Sequence, residues 1–312
     1  MNAALALLMQ RAPFFILGGV AIGLSLPDIA ALIRPWVVPI SVVMVMVSML
    51  RIEPAKLSAT FRRPVLVTTT GLFVLLALPV TTFLLATASG IPGVLATGLT
   101  YAAAAPPLSS AAAFAILVRV DPGLVTGISI PATLAAPATV WILTASFPGL
   151  GDGVALGALV LRLSAIILGA LGVALLIRRL VGEGRVTAWA PRLDGMTVVL
   201  VLMIAIGVMH DIGIAFRSEP WSWLGILALT ALVSFSSLIL TIAVFWPVGR
   251  DEACAAGLCA STKNMAVMVA AVLGTVDPRI SLVVITAQFP IFLSPLLMRP
   301  LFAYLCRQEV QA

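Results

Sequence analysis

The chain alternates long apolar stretches with short polar connections along its whole length. About 20 apolar residues span a bilayer, and shorter stretches suffice when a helix is tilted or kinked. The pattern predicts ten transmembrane helices with approximate bounds 12–28, 34–50, 64–88, 92–119, 122–147, 152–178, 195–215, 219–247, 251–275 and 278–304. The polar connections are too short to form a separate soluble domain.

Two of these segments are interrupted near their middles. Pro106-Pro107 interrupts the fourth segment, and Ser261-Thr262-Lys263-Asn264 interrupts the ninth. Because lipid cannot satisfy the backbone groups that a break exposes, each break must be buried in protein or line a wet cavity. Paired interruptions of this kind indicate the binding site of a secondary transporter. We expect the two breaks to meet at the membrane midplane.

A three-residue motif recurs after half of the chain length. Val120-Asp121-Pro122 returns as Val276-Asp277-Pro278, 276 − 120 = 156 residues later in a chain of 312 residues. An odd number of predicted spans separates the copies, so they lie on opposite sides of the membrane. The pattern predicts two inverted five-helix repeats, residues 1–149 and 150–312, each with a broken fourth helix.

Composition and charge support an all-α polytopic membrane protein. The chain is 62% hydrophobic and 10% charged, with mean hydropathy +1.19, whereas a soluble domain has about 25% charged residues. With both termini cytoplasmic, only Arg34, Arg217 and Arg279 lie in outer connections, which satisfies the positive-inside rule. The net charge of +6 therefore describes a cytoplasmic collar. We expect contact with membrane lipid, no nucleic-acid partner, and a location in a bacterial inner (plasma) membrane.

The first break favours an anion. Pro107 lacks an N–H and disfavours helical geometry at Pro106, so one half-helix ends there and another begins near Leu108. Ser109 and Ser110 can cap the second half-helix, whose positive N-terminal end suits a carboxylate, sulfonate or phosphate. The structural alternative is a proline kink that a neighbouring helix compensates.

The second break carries a lysine in the middle of its span. An ammonium there costs about 2.5–3.5 kcal/mol on insertion scales, which makes Lys263 a candidate functional residue. The alternative is a lysine that extends along apolar surface to the membrane interface. Ser261 and Thr262 are N-cap formers, and the Asn264 amide offers both a donor and an acceptor.

Polar residues on neighbouring spans complete the predicted substrate site. Ser129 and Thr133 in the fifth span and Thr286 and Gln288 in the tenth lie near the expected crossover, although such side chains also bond between helices for structural reasons. For Arg162, inside the sixth span, the sequence leaves two interpretations open. It either pairs with an anionic substrate or extends to the interface.

Several motifs follow one another in a specific order. They are the segment 49–56 (Met-Leu-Arg-Ile-Glu-Pro-Ala-Lys) followed by Arg62-Arg63-Pro64, the stretch 75–79 (Leu-Leu-Ala-Leu-Pro), the crossover from Pro106 to Asp121, and Lys263-Asn264. In this order they resemble the bile acid:sodium symporter family, which usually has Gln-Asn-Ser-Gly at the last position. The resemblance implies a panel domain of spans 1, 2, 6 and 7 and a core domain of spans 3, 4, 5, 8, 9 and 10. It also implies that spans 4 and 9 cross and that an organic anion moves by alternating access.

The chain departs from this family where the family coordinates sodium. The positions of a Glu and a Gln at the ninth-span break are Cys259 and Lys263 here, a Ser-Asn pair corresponds to Ala111 and Ala112, and two further ligands correspond to Val74 and Val125. Ser129 is the remaining hydroxyl. A hard cation needs several oxygen ligands. We therefore expect sodium-independent transport, with the Lys263 ammonium in the place of the coupling cation.

The sequence thus predicts a secondary transporter of a small organic anion, with no cofactor and no bound metal. The alternatives are a proton-coupled or sodium-coupled symporter of the same class, and a sensor that binds a ligand on a transporter fold. An enzyme is disfavoured because His-Glu-x-x-His, Gly-x-Ser-x-Gly and Walker A motifs are missing from the sequence. The three cysteines predict buried thiols, not a disulfide framework.

Overall fold

The computed structural model describes residues 12–51, 63–108 and 111–305. Within these ranges the chain is predominantly helical and forms no β-strand. The helices in chain order are α1 (Ala12–Ser25), α2 (Pro27–Leu50), α3 (Pro64–Ala88), α4 (Gly93–Ala104), α5 (Ala111–Val118), α6 (Pro122–Ser146), α7 (Leu156–Val181), α8 (Glu183–Ala188), α9 (Ala190–Ser218), α10 (Pro220–Phe245), α11 (Arg250–Ser261), α12 (Met265–Val272), α13 (Pro278–Thr286), α14 (Gln288–Leu297) and α15 (Arg299–Leu305).

Helix length and composition identify a helical membrane protein. In the described ranges, six helices are long and apolar enough to cross a membrane, namely α2, α3, α6, α7, α9 and α10. Large apolar side chains such as Leu161, Leu180 and Leu232 lie exposed on their outer faces. An exterior of this kind suits lipid, since monomeric soluble proteins rarely expose large contiguous apolar patches.

Both interrupted segments are split into two helices of unequal length. The fourth segment forms α4, of 12 residues, and α5, of 8 residues. The ninth segment forms α11, also of 12 residues, and α12, of 8 residues. The interruptions that the sequence predicts at Pro106-Pro107 and at Lys263 are therefore both present.

The helices pack as two groups. One group consists of α1, α2, α7 and α9. Glycines let its helices approach closely: a Cβ added at Gly23 would lie 2.6 Å from Met209 Cβ, and one at Gly207 would lie 2.6 Å from Val37 Cγ2. Small residues serve the same purpose at helix contacts in membranes generally, because hydrophobic burial does not drive helices together in lipid.

The second group contains α3 to α6 and α10 to α15. It too is packed through glycines, since a Cβ at Gly98 of α4 would lie 2.6 Å from Val283 Cβ of α13. The two groups touch where α7 contacts α6 and α12, where α12 contacts α2, and where α9 contacts α10 and α13. The half-helices of both breaks belong to this second group.

Charged residues tie the helix ends of the first group together. Arg51, just after α2, pairs with Asp194 of α9. Arg178 of α7 donates from Nη2 to the Leu50 carbonyl at 2.6 Å and from Nη1 to both carboxylate oxygens of Glu183. Part of the predicted basic collar therefore also joins helices.

The cysteine expectation is partly wrong. Cys259 is a buried free thiol, as expected. Cys254, however, is disulfide-bonded. The sequence favoured buried thiols because the number of cysteines is odd and they lie in or beside apolar segments. Neither feature reveals which cysteines form a disulfide.

Candidate functional site

The two breaks are joined by backbone hydrogen bonds. Pro107 and Lys263 form an antiparallel bridge. The Leu108 N–H donates to the Thr262 carbonyl at 2.8 Å, and the Asn264 N–H donates to the Pro106 carbonyl at 2.7 Å. Each break thus satisfies backbone groups of the other in a region where lipid offers no partner. This mutual pairing explains why both interruptions can persist inside an apolar protein.

The caps at the second break differ from the sequence prediction. Asn264 is the N-cap of α12, and its Oδ1 accepts the Val267 N–H at 3.4 Å. Ser261 and Thr262 do not cap that helix, because both hydroxyls donate backwards to the Leu258 carbonyl at the end of α11. The predicted caps of the first break, Ser109 and Ser110, lie outside the described residues.

Lys263 is buried at the bridge, with 5% of its surface exposed. Its Nζ donates to the Val74 carbonyl at 3.2 Å. Among the described residues no carboxylate pairs with it. A snorkelling side chain would be exposed at its tip, so this geometry disfavours the interface alternative.

The acceptor for Lys263 results from a local irregularity of α3. Residues Phe73–Ala77 form a π-helical turn, in which the Leu78 N–H donates to the Phe73 carbonyl. In the same i to i+5 pattern the Val74 carbonyl would accept the N–H of residue 79, but Pro79 has no N–H. The Val74 carbonyl is therefore left without its intrahelical donor, and Lys263 supplies one. The sequence feature that marks this free carbonyl is Pro79, five residues after Val74.

The last residues of two half-helices share a small space with Lys263. A small internal space of about 20 Å³ adjoins Lys263. Its lining includes Ala102 and Ala103 at the end of α4, Ala260 at the end of α11, and Thr230, Ser234 and Ser237 of α10. A helix C-terminus carries roughly −0.5 elementary charge, so two of them together offset about one ammonium charge. Two such ends near Lys263 offset part of the free-energy cost of burying its ammonium group.

Pro106 and Pro107 accentuate this negative end. Because neither has an N–H, they cannot donate to the carbonyls of Ala102 and Ala103 four residues earlier. The Ala105 N–H bonds Ala102 at 3.4 Å instead. The double proline thus both ends α4 and removes the donors that would have neutralised its last carbonyl groups.

Of the other predicted site residues, some contact the crossover, and others form hydrogen bonds only to the backbone of their own helix. Thr133 lies closest to the break, with Oγ1 3.4 Å from the Pro107 carbonyl, although its shorter bond of 2.7 Å is to the Ser129 carbonyl. Ser129 donates to its own helix and lies 3.6 Å from Cys259 Sγ. Thr286 bonds the Leu282 carbonyl within α13.

Several buried polar atoms near the crossover have no hydrogen-bond partner among the described residues. They are Asn264 Nδ2, Gln288 Nε2 and Ser234 Oγ. A buried polar atom without a partner costs free energy, so such atoms mark places that a polar ligand or water can occupy. Ser234 is the residue of this set that sequence reasoning missed. Its signal was the spacing of Thr230, Ser234, Ser237 and Thr241, which places four hydroxyls on one face of α10.

Apart from Lys263, the described positions that the family resemblance matches to sodium ligands lie in apolar clusters. Ala111, Val125 and Cys259 lie together in one buried apolar cluster. Val74 belongs to a second cluster with Ala260, and its carbonyl oxygen is bound by Lys263. This surrounding offers few oxygen atoms to a hard cation.

A larger cleft lies between the two helix groups. Its volume is about 630 Å³. Arg34 and Val38 of α2, Arg162 of α7, and Asp211 and Ile214 of α9 line one wall. Leu273, Arg279, Leu282 and Ile285 line the other. The cleft opens at the ends of α2, α7 and α9 that lie opposite Arg51, Arg178 and Asp194.

Two of the arginines in this cleft have carboxylate partners. Arg34 Nε donates to Asp211 Oδ1 at 3.1 Å, and Arg279 Nη2 donates to Asp277 Oδ2 at 3.2 Å. Hydrogen bonds from the Arg279 side chain and backbone lower the pKa of Asp277, which precedes α13. Asp277 is therefore ionised at neutral pH and offsets the charge of Arg279.

Comparisons with known proteins leave the family open. No protein-family model matches the chain, and a search of curated proteins found no match either. The resemblance to the bile acid:sodium symporter family accordingly stays a prediction from the motifs quoted above.

Proposed function

We propose that the protein is a secondary transporter of a small organic anion, in which Lys263 occupies the electrostatic place of a coupling cation. The observation that carries the proposal is the buried Lys263 side chain at the bridge between two broken helices, where it shares a small space with the last residues of α4 and α11. Discontinuous helices whose ends converge on one point are the usual binding architecture of such transporters.

The proposal includes ten membrane spans arranged as two inverted repeats. Equal lengths of the broken helices, 12 and 8 residues in each half, support it. So do the helix starts, because α10 begins 220 − 64 = 156 residues after α3, and α13 begins 278 − 122 = 156 residues after α6. Asp121 and Asp277 also cap equivalent helices in the same manner, each accepting the N–H of the residue two positions later.

The division into two helix groups supports alternating access. The first group consists of the spans that the family resemblance assigns to a panel domain, and the second group of those assigned to a core domain. Both breaks lie in the second group, and residues of both groups line the cleft between them. We propose cytoplasmic termini in a bacterial inner membrane, which places this cleft on the outer side.

Sodium independence follows from the apolar replacements at Ala111, Val125 and Cys259. A bound ion stabilises the folded state by mass action. Replacing choline chloride by sodium chloride at constant ionic strength should therefore leave the thermal unfolding midpoint of the purified protein unchanged.

The matched variant for this test combines Cys259→Glu with Lys263→Gln. These changes restore the two family residues at the ninth-span break and remove the competing ammonium, so the double variant should gain a sodium-dependent rise in its unfolding midpoint. A steep sodium dependence of the wild-type protein would show that the cation site has been assigned to the wrong residues.

Proton coupling is the second candidate, favoured by a buried lysine that has no carboxylate partner in the described part of the chain. In that case a proton on Lys263 is exchanged during the cycle. Flux would then vary with pH in the wild type and lose that dependence in Lys263→Gln. A sensor, in contrast, would bind anions without any flux in proteoliposomes.

A further inference from the structure

Among the described residues that line the cleft between the helix groups, one cation has no acidic partner. Arg34 pairs with Asp211, and Arg279 pairs with Asp277. Arg162 instead donates from Nη1 to the Leu273 carbonyl, an acceptor without net charge. Within the described ranges its guanidinium has no carboxylate partner and no second hydrogen bond. An arginine offers five N–H donors, so most of those of Arg162 are available to a ligand.

The Leu273 contact holds the Arg162 side chain in place. Leu273 is the C-cap of α12, and Gly274 follows it with φ +81°, a left-handed conformation that suits glycine. The turn at Gly274 brings this loop beside Arg162, since a Cβ at Gly274 would lie 4.0 Å from Arg162 Nη1. A donor fork that is already oriented loses less entropy when it binds an anion.

The rest of the cleft is suited to an apolar body. Val38, Ile214, Leu282 and Ile285 lie along its two walls. A volume of about 630 Å³ is within the range of ligand sites, roughly 300–1,000 Å³, in which apolar walls surround a few polar groups. The chemistry of the cleft is therefore that of a receptor for an amphipathic anion, separate from the small space at Lys263.

We propose that Arg162 is the specificity-determining residue of this cleft and that its guanidinium binds the carboxylate or sulfonate group of an organic anion whose apolar body lies between the two walls. Guanidinium and carboxylate or sulfonate form charge-assisted, frequently bidentate hydrogen bonds. The proposal rests on the proposed function only in identifying this anion as the transported substrate. Recognition in the cleft precedes transport and can be measured without it.

Equilibrium dialysis of the full chain in nanodiscs tests the assignment, with empty nanodiscs as the correction for lipid partitioning. The probes are naphthalene-2-sulfonate and its neutral analogue naphthalene-2-sulfonamide. The wild type should bind the sulfonate in preference to the sulfonamide. Arg162→Gln should weaken sulfonate binding roughly 10- to 100-fold, as expected for the loss of a hydrogen-bonded charge.

Two further variants separate recognition from folding. Arg179→Gln removes an exposed arginine from the opposite end of the same helix and should leave binding unchanged. Arg162→Lys keeps the charge but not the planar fork, so it should bind with intermediate affinity. If Arg162→Gln does not fold, the sulfonate affinity of Arg162→Lys tests the assignment instead. An affinity equal to that of the wild type would contradict it.

Three results would overturn the proposal: no sulfonate binding above that of empty nanodiscs, equal binding of both probes, or full affinity in Arg162→Gln. A different result would contradict the proposed function. If sulfonate binding depends on Arg162 but no organic anion crosses the membrane, the cleft assignment stands and the transporter assignment is wrong.

Discussion

Lys263→Ala is expected to lower the free energy of unfolding by about 2 kcal/mol, the upper range for a charge at a helix terminus. In the wild type the Lys263 ammonium donates to the Val74 carbonyl, and Lys263 shares a small space with the last residues of α4 and α11. Without it, the negative ends of both half-helices lose a nearby positive charge in a medium of low dielectric constant, and the Val74 carbonyl loses its donor.

Titration with SDS in mixed micelles measures this change. Lys263→Met is the matched control for volume, because it keeps an unbranched stem but removes the charge, and it should lose nearly as much stability as Lys263→Ala. Arg179→Ala removes an exposed positive charge and should have little effect. If Lys263→Met is as stable as the wild type, the ammonium does not hold the crossover together.

Gly98→Leu is expected to destabilise the second helix group by about 3 kcal/mol, at the upper end for an overpacked core. Gly98 lies in α4, and a Cβ there would lie 2.6 Å from Val283 Cβ and 2.9 Å from Val283 Cγ1 of α13. Both distances are below van der Waals contact. A leucine would therefore force α4 away from α13 and displace the end of α4 from Lys263.

The control is Gly93→Leu, at the first position of the same helix, where an added Cβ has nothing within 4 Å. It should leave the unfolding midpoint nearly unchanged. Val283→Ala, combined with Gly98→Leu, should recover part of the lost stability, and a double-mutant cycle measures this coupling. Additive effects of the two substitutions would mean that α4 and α13 do not pack as described.

Sequence patterns predicted the existence of the breaks better than their chemistry. Pro106-Pro107 and Lys263 identified both interruptions because proline and charge conflict with a continuous apolar helix. The partner of Lys263 was not predictable by residue type. It is a backbone carbonyl of Val74, exposed by the combination of a π-helical turn and Pro79, and backbone geometry of this kind is not encoded at position 74 itself.

The caps show the same limit. Ser261, Thr262 and Asn264 are all residues that favour an N-cap, so composition could not choose among them. The choice depends on where α11 ends, and that end is set by the bridge between Lys263 and Pro107. The role of Arg162 was open for a related reason, because its neighbour Leu273 is 111 residues away in sequence.

Flux in proteoliposomes tests the central claim most directly. A panel of amphipathic carboxylates and sulfonates would be assayed with the wild type and with Lys263→Met, in sodium chloride and in choline chloride. The account predicts that at least one anion crosses the membrane with the wild type, at the same rate in either salt, and that Lys263→Met abolishes this flux. Flux that requires sodium, or flux that persists in Lys263→Met, would contradict it.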